Sequence, residues 1–87
     1  GWTALMWAAE NGHLDVVKYL VEHGADLNAG NNLNKTALML AARGGHLDIV
    51  KHLVGHKADL NAEDNNGQTV LMFAAEYGHL DVVKYLV

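Results

Sequence analysis

The chain contains no cysteine, no proline and no serine. Without thiols it can form neither disulfides nor thiolate zinc sites, which suits a reducing compartment and leads us to expect a cytoplasmic protein. The only serine-like nucleophiles are threonines, and no glycine-rich phosphate loop precedes a helix, so nothing supports catalysis. Positive charge is scarce as well: 6 Lys and Arg stand against 10 Asp and Glu, for a formal charge of -4 with His neutral. With no local basic cluster to offset that balance, nucleic acid and anionic membranes are poor partners. No apolar run approaches the roughly 18 residues that span a bilayer, and no basic-then-apolar leader opens the chain.

What the sequence has is repetition. Thr36–Val54 reads TALMLAARGGHLDIVKHLV, with TALMWAAENGHLDVVKYLV 33 residues upstream from Thr3 and TVLMFAAEYGHLDVVKYLV 33 residues downstream from Thr69. A fixed period of this length denotes a stacked array, in which only the middle copy has a neighbour on each side. Apolar residues make up 51% and charged residues 18%, as in folded proteins. The 87 residues form a single domain, 1–87, with copies at 1–30, 31–63 and 64–87. The chain starts at Gly1 without an initiator Met and stops inside a helical pattern at Val87, so we expect it to be a piece of a longer array.

Each copy reads as two short helices and a turn. Thr3 is placed to cap a helix whose Leu5, Ala8 and Ala9 form one apolar stripe, the alanines allowing another helix to come close. Asn11-Gly12 ends it. Leu14, Val17 and Val21, with Val16 and Leu20, give a second helix reaching about His23, and Asp15 in its first turn complements the helix dipole. Gly24 suits a left-handed terminus, Ala25 to Ala29 read as extended chain, and in the turn 30–34 the residues best suited to positive φ are Gly30 and Asn34. In the middle copy Lys57 replaces that terminal glycine. Either Lys57 adopts the left-handed conformation at a cost of about 1 kcal/mol, or the helix ends early at Gly55.

These motifs, G-x-T-x-L-x-x-A-A, G-H-L-D-[VI]-V-K-x-L-V and G-A-D-L-N-A, resemble the ankyrin repeat over the whole chain. The resemblance implies an all-α solenoid of stacked helix-turn-helix units with a β-hairpin finger at each junction. The family's Thr-Pro-Leu-His is replaced by Thr3-Ala4-Leu5-Met6, Thr36-Ala37-Leu38-Met39 and Thr69-Val70-Leu71-Met72. Proline would preset φ at the first helical position, and the histidine ordinarily adds a polar link near the cap, so the first helix of each copy is expected to be less rigid.

Candidate chemistry is thin. His13, His46 and His79 are equivalent and about 8 to 10 Å apart, too far to share a zinc whose nitrogens lie at about 2.0 to 2.1 Å; we read them as packed at helix junctions and bonded to backbone. His52 and His56, four apart, lack a third ligand, so no metal or cofactor is expected. Glu10 and Glu76 lie two copies apart, near 20 Å and beyond any paired-carboxylate geometry, with Arg43 between them. Trp7, Leu40 and Phe73 share a position that is apolar in every copy and are taken as core or inter-repeat contacts. Tyr19, His52 and Tyr85 read as cover on the second helix.

Positions kept in all copies serve stacking, whereas positions that vary are free for another task. The variable set comprises Trp2/Lys35/Gln68, Glu10/Arg43/Glu76, Asn11/Gly44/Tyr77 and the turn residues Asn32, Leu33, Asn65 and Asn66. In proteins resembling this one such fingertips and first-helix surfaces form a concave face that grips another protein, and exposed aromatics such as Trp2 and Tyr77 are the usual anchors. The alternative is a structural spacer or self-stacking segment of a longer array. On that reading Leu5, Ala8, Leu20 and Val21 at one end, or Leu71, Ala75, Val83 and Leu86 at the other, are covered by further repeats or associate end to end.

Overall fold

The computed structural model describes all residues, Gly1–Val87, and contains six helices. They are α1 (Ala4–Glu10), α2 (Leu14–Glu22), α3 (Ala37–Arg43), α4 (Leu47–Gly55), α5 (Val70–Glu76) and α6 (Leu80–Leu86). Helix α3 packs between α1 and α5, and α4 between α2 and α6, so three helix pairs stack in chain order. Their junction forms one core around Leu38, Leu40, Ile49, Val50 and Leu53, all at most 1% exposed. Burying each such side chain contributes roughly 1.5 to 3 kcal/mol, which a single pair of short helices could not gather alone.

Each first helix starts where a threonine hydroxyl accepts an otherwise unpaired N–H: Met6 N donates to Thr3 Oγ1 at 3.2 Å, Met39 N to Thr36 at 3.3 Å and Met72 N to Thr69 at 3.4 Å. The expected loss of a polar link near the cap is made good in two copies. The Met6 and Met39 sulfurs accept from the Thr3 and Thr36 N–H groups at 3.4 and 3.5 Å, closing a reciprocal cap in which thioether replaces the usual carboxamide or carboxylate.

Lys57 settles the choice posed by the sequence. Both α2 and α4 end one residue before a capping histidine, and Lys57 takes φ 71° where Gly24 takes φ 85°. The same pair of closing bonds forms in both, Gly24 N to Val21 and Ala25 N to Leu20, then Lys57 N to Val54 and Ala58 N to Leu53. In the first turn Asn34 has φ 60°, matched by Gly67 at 75°, while Gly30 is not left-handed; Glu63 occupies its equivalent site without difficulty.

The fingers contain no β-strand, contrary to the expected hairpins. Each is a turn closed by a few bonds, Asn31 N to the Lys35 carbonyl and Asn34 N to the Asn31 carbonyl in the first, Asp64 N to Gln68 and Gly67 N to Asp64 in the second. A side chain organises both turns: Asn31 Oδ1 accepts from Leu33 N and Lys35 N, and Asp64 Oδ1 from Asn66 N and Gln68 N. With so much of the bonding taken by side chains, no ladder extends from the turn. The stretch after Gly24 likewise turns at Leu27-Asn28 rather than running extended.

The equivalent positions divide by which neighbour covers them. Ala4, Trp7 and Val16 are exposed in the first copy, whereas their counterparts Ala37, Leu40, Ile49, Val70, Phe73 and Val82 are all buried beneath a preceding copy. Leu5, Met6 and Ala9 are buried, as are Leu38, Met39 and Ala42, each beneath the following copy, whereas Leu71, Met72 and Ala75 are exposed. Trp7 therefore is not core, being 53% exposed. The sequence reading was correct about Leu40 and Phe73. It also misplaced the first end face: Leu5 and Ala8 are buried, and Leu20 and Val21 half-buried, so Ala4, Trp7 and Val16 form that surface instead.

Candidate binding surface

The variable positions lie on the turns and at the ends of α1, α3 and α5, and the structure joins several of them. Trp2 stacks on Trp7 with ring centroids 4.3 Å apart and planes 29° from parallel. Arg43 Nη2 is 3.5 Å from Glu10 Oε2, a half-exposed pair across adjacent copies whose contribution to stability is at most about 1 kcal/mol. Gln68 Nε2 donates to Glu76 Oε1 at 3.1 Å, linking the turn of the third copy to its first helix. Asn11 Nδ2 donates to the Trp7 carbonyl at 2.8 Å, whereas Tyr77 at the equivalent site is 50% exposed.

Asparagines link one turn to the next. The Gly1 ammonium donates to Asn32 Oδ1 at 3.0 Å, Asn65 Nδ2 to the Asn32 carbonyl at 3.4 Å, and Asn34 Nδ2 to Asn65 Oδ1 at 2.8 Å. Asn65 N also donates to the Leu33 carbonyl at 3.0 Å, which leaves the Leu33 side chain outside, 54% exposed. Asn32, Asn65 and Asn66 are likewise exposed.

Two predicted surface charges sit differently from expectation. Lys35 is half-buried: its Nζ lies 3.6 Å from Asp64 Oδ2 and 5.9 Å from the centre of the Phe73 ring. Arg43 is half-buried against Glu10. The Asp64 side chain is wholly buried. Burial works against its ionisation, but the N–H donors of Gln68 and Asn66 and the Lys35 ammonium outweigh it, holding the carboxyl below the usual aspartate range. Asn34 and Asp64, which the comparison of copies did not single out, hold adjacent turns together. The signal available was their place in the turns, since Asp64 matches Asn31 and both accept the same pair of N–H groups.

The histidine ladder packs as expected at two rungs. His46 Nε2 donates to the Glu10 carbonyl at 3.0 Å and His79 Nε2 to the Arg43 carbonyl at 2.8 Å, the carbonyl acceptor fixing which nitrogen bears the proton. His13 is exposed and has no such acceptor. On α4 the His52 and His56 rings lie 4.3 Å apart, and His56 Nδ1 bonds to the His52 carbonyl at 2.8 Å, repeating the Tyr19 and His23 arrangement on α2.

Comparison with known proteins agrees with this architecture. A family model described as ankyrin repeats (3 copies) matches residues 28–87, and one for the single ankyrin repeat matches residues 1–32. Among curated proteins, the NAD-capped RNA hydrolase NUDT12 of Homo sapiens, and those of Pongo abelii and Macaca fascicularis, are each 50% identical over 36 residues. That stretch is 41% of this chain but 8% of each relative, so the likeness extends over little more than one repeat and carries no hydrolase activity across. No helix is long and apolar enough to cross a membrane.

Proposed function

The chain belongs to the ankyrin-repeat family, and from that premise we propose that it is a non-catalytic binding module which holds another protein on a concave face made of turn and first-helix residues. The observation that carries this reading is the contrast between copies. Residues that stack the copies are identical or stay apolar in all three, while Trp2/Lys35/Gln68, Glu10/Arg43/Glu76 and Asn11/Gly44/Tyr77 change in character. The proposed surface runs over three repeats, 1–30, 31–63 and 64–87, within one domain. Trp2 on Trp7 provides an aromatic platform at one end, Tyr77 an aromatic anchor at the other, and Arg43 a charge between them, all held by packed helices so that binding immobilises few new degrees of freedom. A cytoplasmic setting fits the lack of cysteine.

The test is capture of a partner by the wild-type chain, followed by direct titration of that partner against wild type and Trp2→Ala/Arg43→Ala/Tyr77→Ala, with thermal melts of both. Truncating aromatic anchors is expected to cost 2 kcal/mol or more of binding, about 30-fold, while the exposed Trp2 and Tyr77 truncations each move stability by less than about 0.5 kcal/mol and loss of the half-buried Arg43–Glu10 pair by at most about 1 kcal/mol. Unchanged affinity would move the site to the face around Lys18, Lys51 and Lys84. The second reading is a structural spacer or self-stacking segment of a longer array, in which neighbouring repeats would cover the apolar residues at both ends of the stack.

A further inference from the structure

We propose that Asn66, in the second turn, is a site of spontaneous covalent modification, at which the backbone nitrogen of Gly67 closes on the Asn66 carboxamide and leaves a carboxylate in its place. Asparagine followed by glycine occurs twice in the chain, at Asn11-Gly12 and Asn66-Gly67. In both, glycine has no Cβ to crowd the attack of its nitrogen on the preceding side chain, so the two pairs share one intrinsic reactivity. Each nitrogen gives up one turn bond to react, Gly12 N to the Ala9 carbonyl at 3.4 Å and Gly67 N to the Asp64 carbonyl at 3.0 Å. The surroundings then separate them. Asn11 Nδ2 donates to the Trp7 carbonyl at 2.8 Å, which holds that carboxamide back along α1. Gly12 is pinned by the His46 ring, whose Cε1 would lie 2.8 Å from a Cβ there and whose Nε2 is bonded to the Glu10 carbonyl at 3.0 Å. Asn66 and Gly67 are both exposed, and of Asn66 only the backbone N–H is bonded, to Asp64 Oδ1 at 2.9 Å. Nothing comes nearer to a Cβ at Gly67 than Glu63 Oε1 at 3.9 Å. The exposure belongs to the turn itself, since Leu33 at the same place in the first turn is 54% exposed between packed copies.

The reaction balances with water alone. Gly67 N loses its proton to solvent and bonds to Asn66 Cγ, Nδ2 leaves as ammonia, and a cyclic imide remains. Water then opens the imide at Cγ, giving aspartate on the original backbone, or at the backbone carbonyl, giving isoaspartate with the chain rerouted through the side chain. Either product places a negative charge in the variable turn, and the effect of that charge on a partner rests on the binding reading, whereas the chemistry does not. Isoaspartate also adds a methylene to the backbone between Asn65 and Gly67. Asn65 is what ties this turn to the one before, accepting from Asn34 Nδ2 at 2.8 Å and donating to the Asn32 carbonyl at 3.4 Å. The modification therefore loosens one turn from the next.

The test incubates the whole chain at mildly alkaline pH, folded and in denaturant, and follows conversion of Asn11 and Asn66 by mass spectrometry of proteolytic peptides. In the folded chain Asn66 is expected to convert about tenfold or more faster than Asn11, which must also release a side-chain bond and displace a packed ring. In denaturant the two rates should converge. Gly67→Asn gives the second turn the residue that the first carries at φ 60°, so the left-handed position is kept, and a thermal melt checks that the variant is folded. Its Asn66 should convert several-fold more slowly, because the new side chain crowds the attacking nitrogen. As wild type converts, the side-chain amide resonances of Asn34 and Asn65 should shift. Equal rates at Asn11 and Asn66 in the folded chain, or no conversion of Asn66 there, would overturn the site. Unmoved Asn34 and Asn65 signals beside a converted Asn66 would overturn the loosening of the turns and leave the site standing. Neither readout involves a partner, so failure of the binding reading would change neither.

Discussion

Lys35 in the first turn reaches across to Asp64 in the second, the two charges 3.6 Å apart with the carboxylate side chain wholly buried. Asp64 at the same time accepts two N–H groups of its own turn, as Asn31 does in the turn before. The local acceptor is therefore common to both turns, and the charge is what the second turn adds.

Asp64→Asn separates those two contributions, because an asparagine oxygen can keep both N–H donors as Asn31 does. We expect a loss of about 1 kcal/mol or less, since Lys35 remains partly solvated when its partner is gone. The sign of the pH effect follows from the lowered pKa. A carboxylate that titrates below its unfolded value adds stability above about pH 4, which is lost as pH falls toward the folded value. Denaturant midpoints measured from pH 6 down to pH 2 should thus fall less steeply in Asp64→Asn than in wild type. An equally steep acid limb would show that other carboxylates govern it.

His52 works in the same sense at higher pH, but for a different cause. Burial lowers its pKa, helped by the positive charges of His56 and Lys18 and opposed by Glu22, and its Nε2 is buried without a hydrogen-bond partner. The unfolded chain takes up the proton first, so stability falls as pH drops below about 6.5 and levels off below the folded value. Replacing His52 by Tyr, the residue at the equivalent Tyr19 and Tyr85, should flatten the stability profile between pH 7 and pH 5. If the variant and the wild type lose stability in parallel over that range, His52 is not the group responsible.

Much of this fold was legible in the sequence because its determinants are local. Thr3, Thr36 and Thr69 announce helix starts through one hydroxyl and one N–H, and the paired alanines announce close helices without reference to anything distant. The end faces were not legible in the same way. Leu5 and Trp7 lie two positions apart on a helix of seven residues, and apolarity alone does not say that one faces the following copy and the other the preceding copy. Lys35 was read as exposed for a related reason. Comparing copies reveals that a position varies, but the partner that draws Lys35 inward lies on the next turn.

Lys57→Gly should stabilise the chain by about 1 kcal/mol. The backbone is already left-handed at φ 71°, the matching Gly24 has open space around it, and glycine carries no steric cost in that region. Lys51→Gly, within α4, should instead destabilise by about 1 kcal/mol, because there glycine loses entropy with no strain to relieve. Chemical denaturation of the two variants beside wild type checks both signs. A loss at Lys57 would mean that the lysine side chain makes a contact worth more than the strain.

The histidine junction allows a sharper comparison, because Gly45 and Gly78 have the same φ, 73°, in different surroundings. Alanine at Gly78 meets only the backbone cost of a left-handed residue, about 1 kcal/mol, since nothing lies within 4 Å of the new methyl. Alanine at Gly45 meets that cost and also places its Cβ 2.5 Å from His79 Nδ1. The ring cannot simply withdraw, because Nε2 on its other side is bonded to the Arg43 carbonyl at 2.8 Å. Moving it gives up that bond and loosens the seam between α3 and α6, a further loss of about 1 to 2 kcal/mol. The two variants, compared by denaturant melts at a chain concentration low enough to exclude association, should therefore differ by that amount. The His79 imidazole resonance should shift in Gly45→Ala and stay in place in Gly78→Ala. Equal destabilisation with an unmoved His79 signal would mean that the ring is free to adjust, and that the seam between copies is held by apolar packing alone.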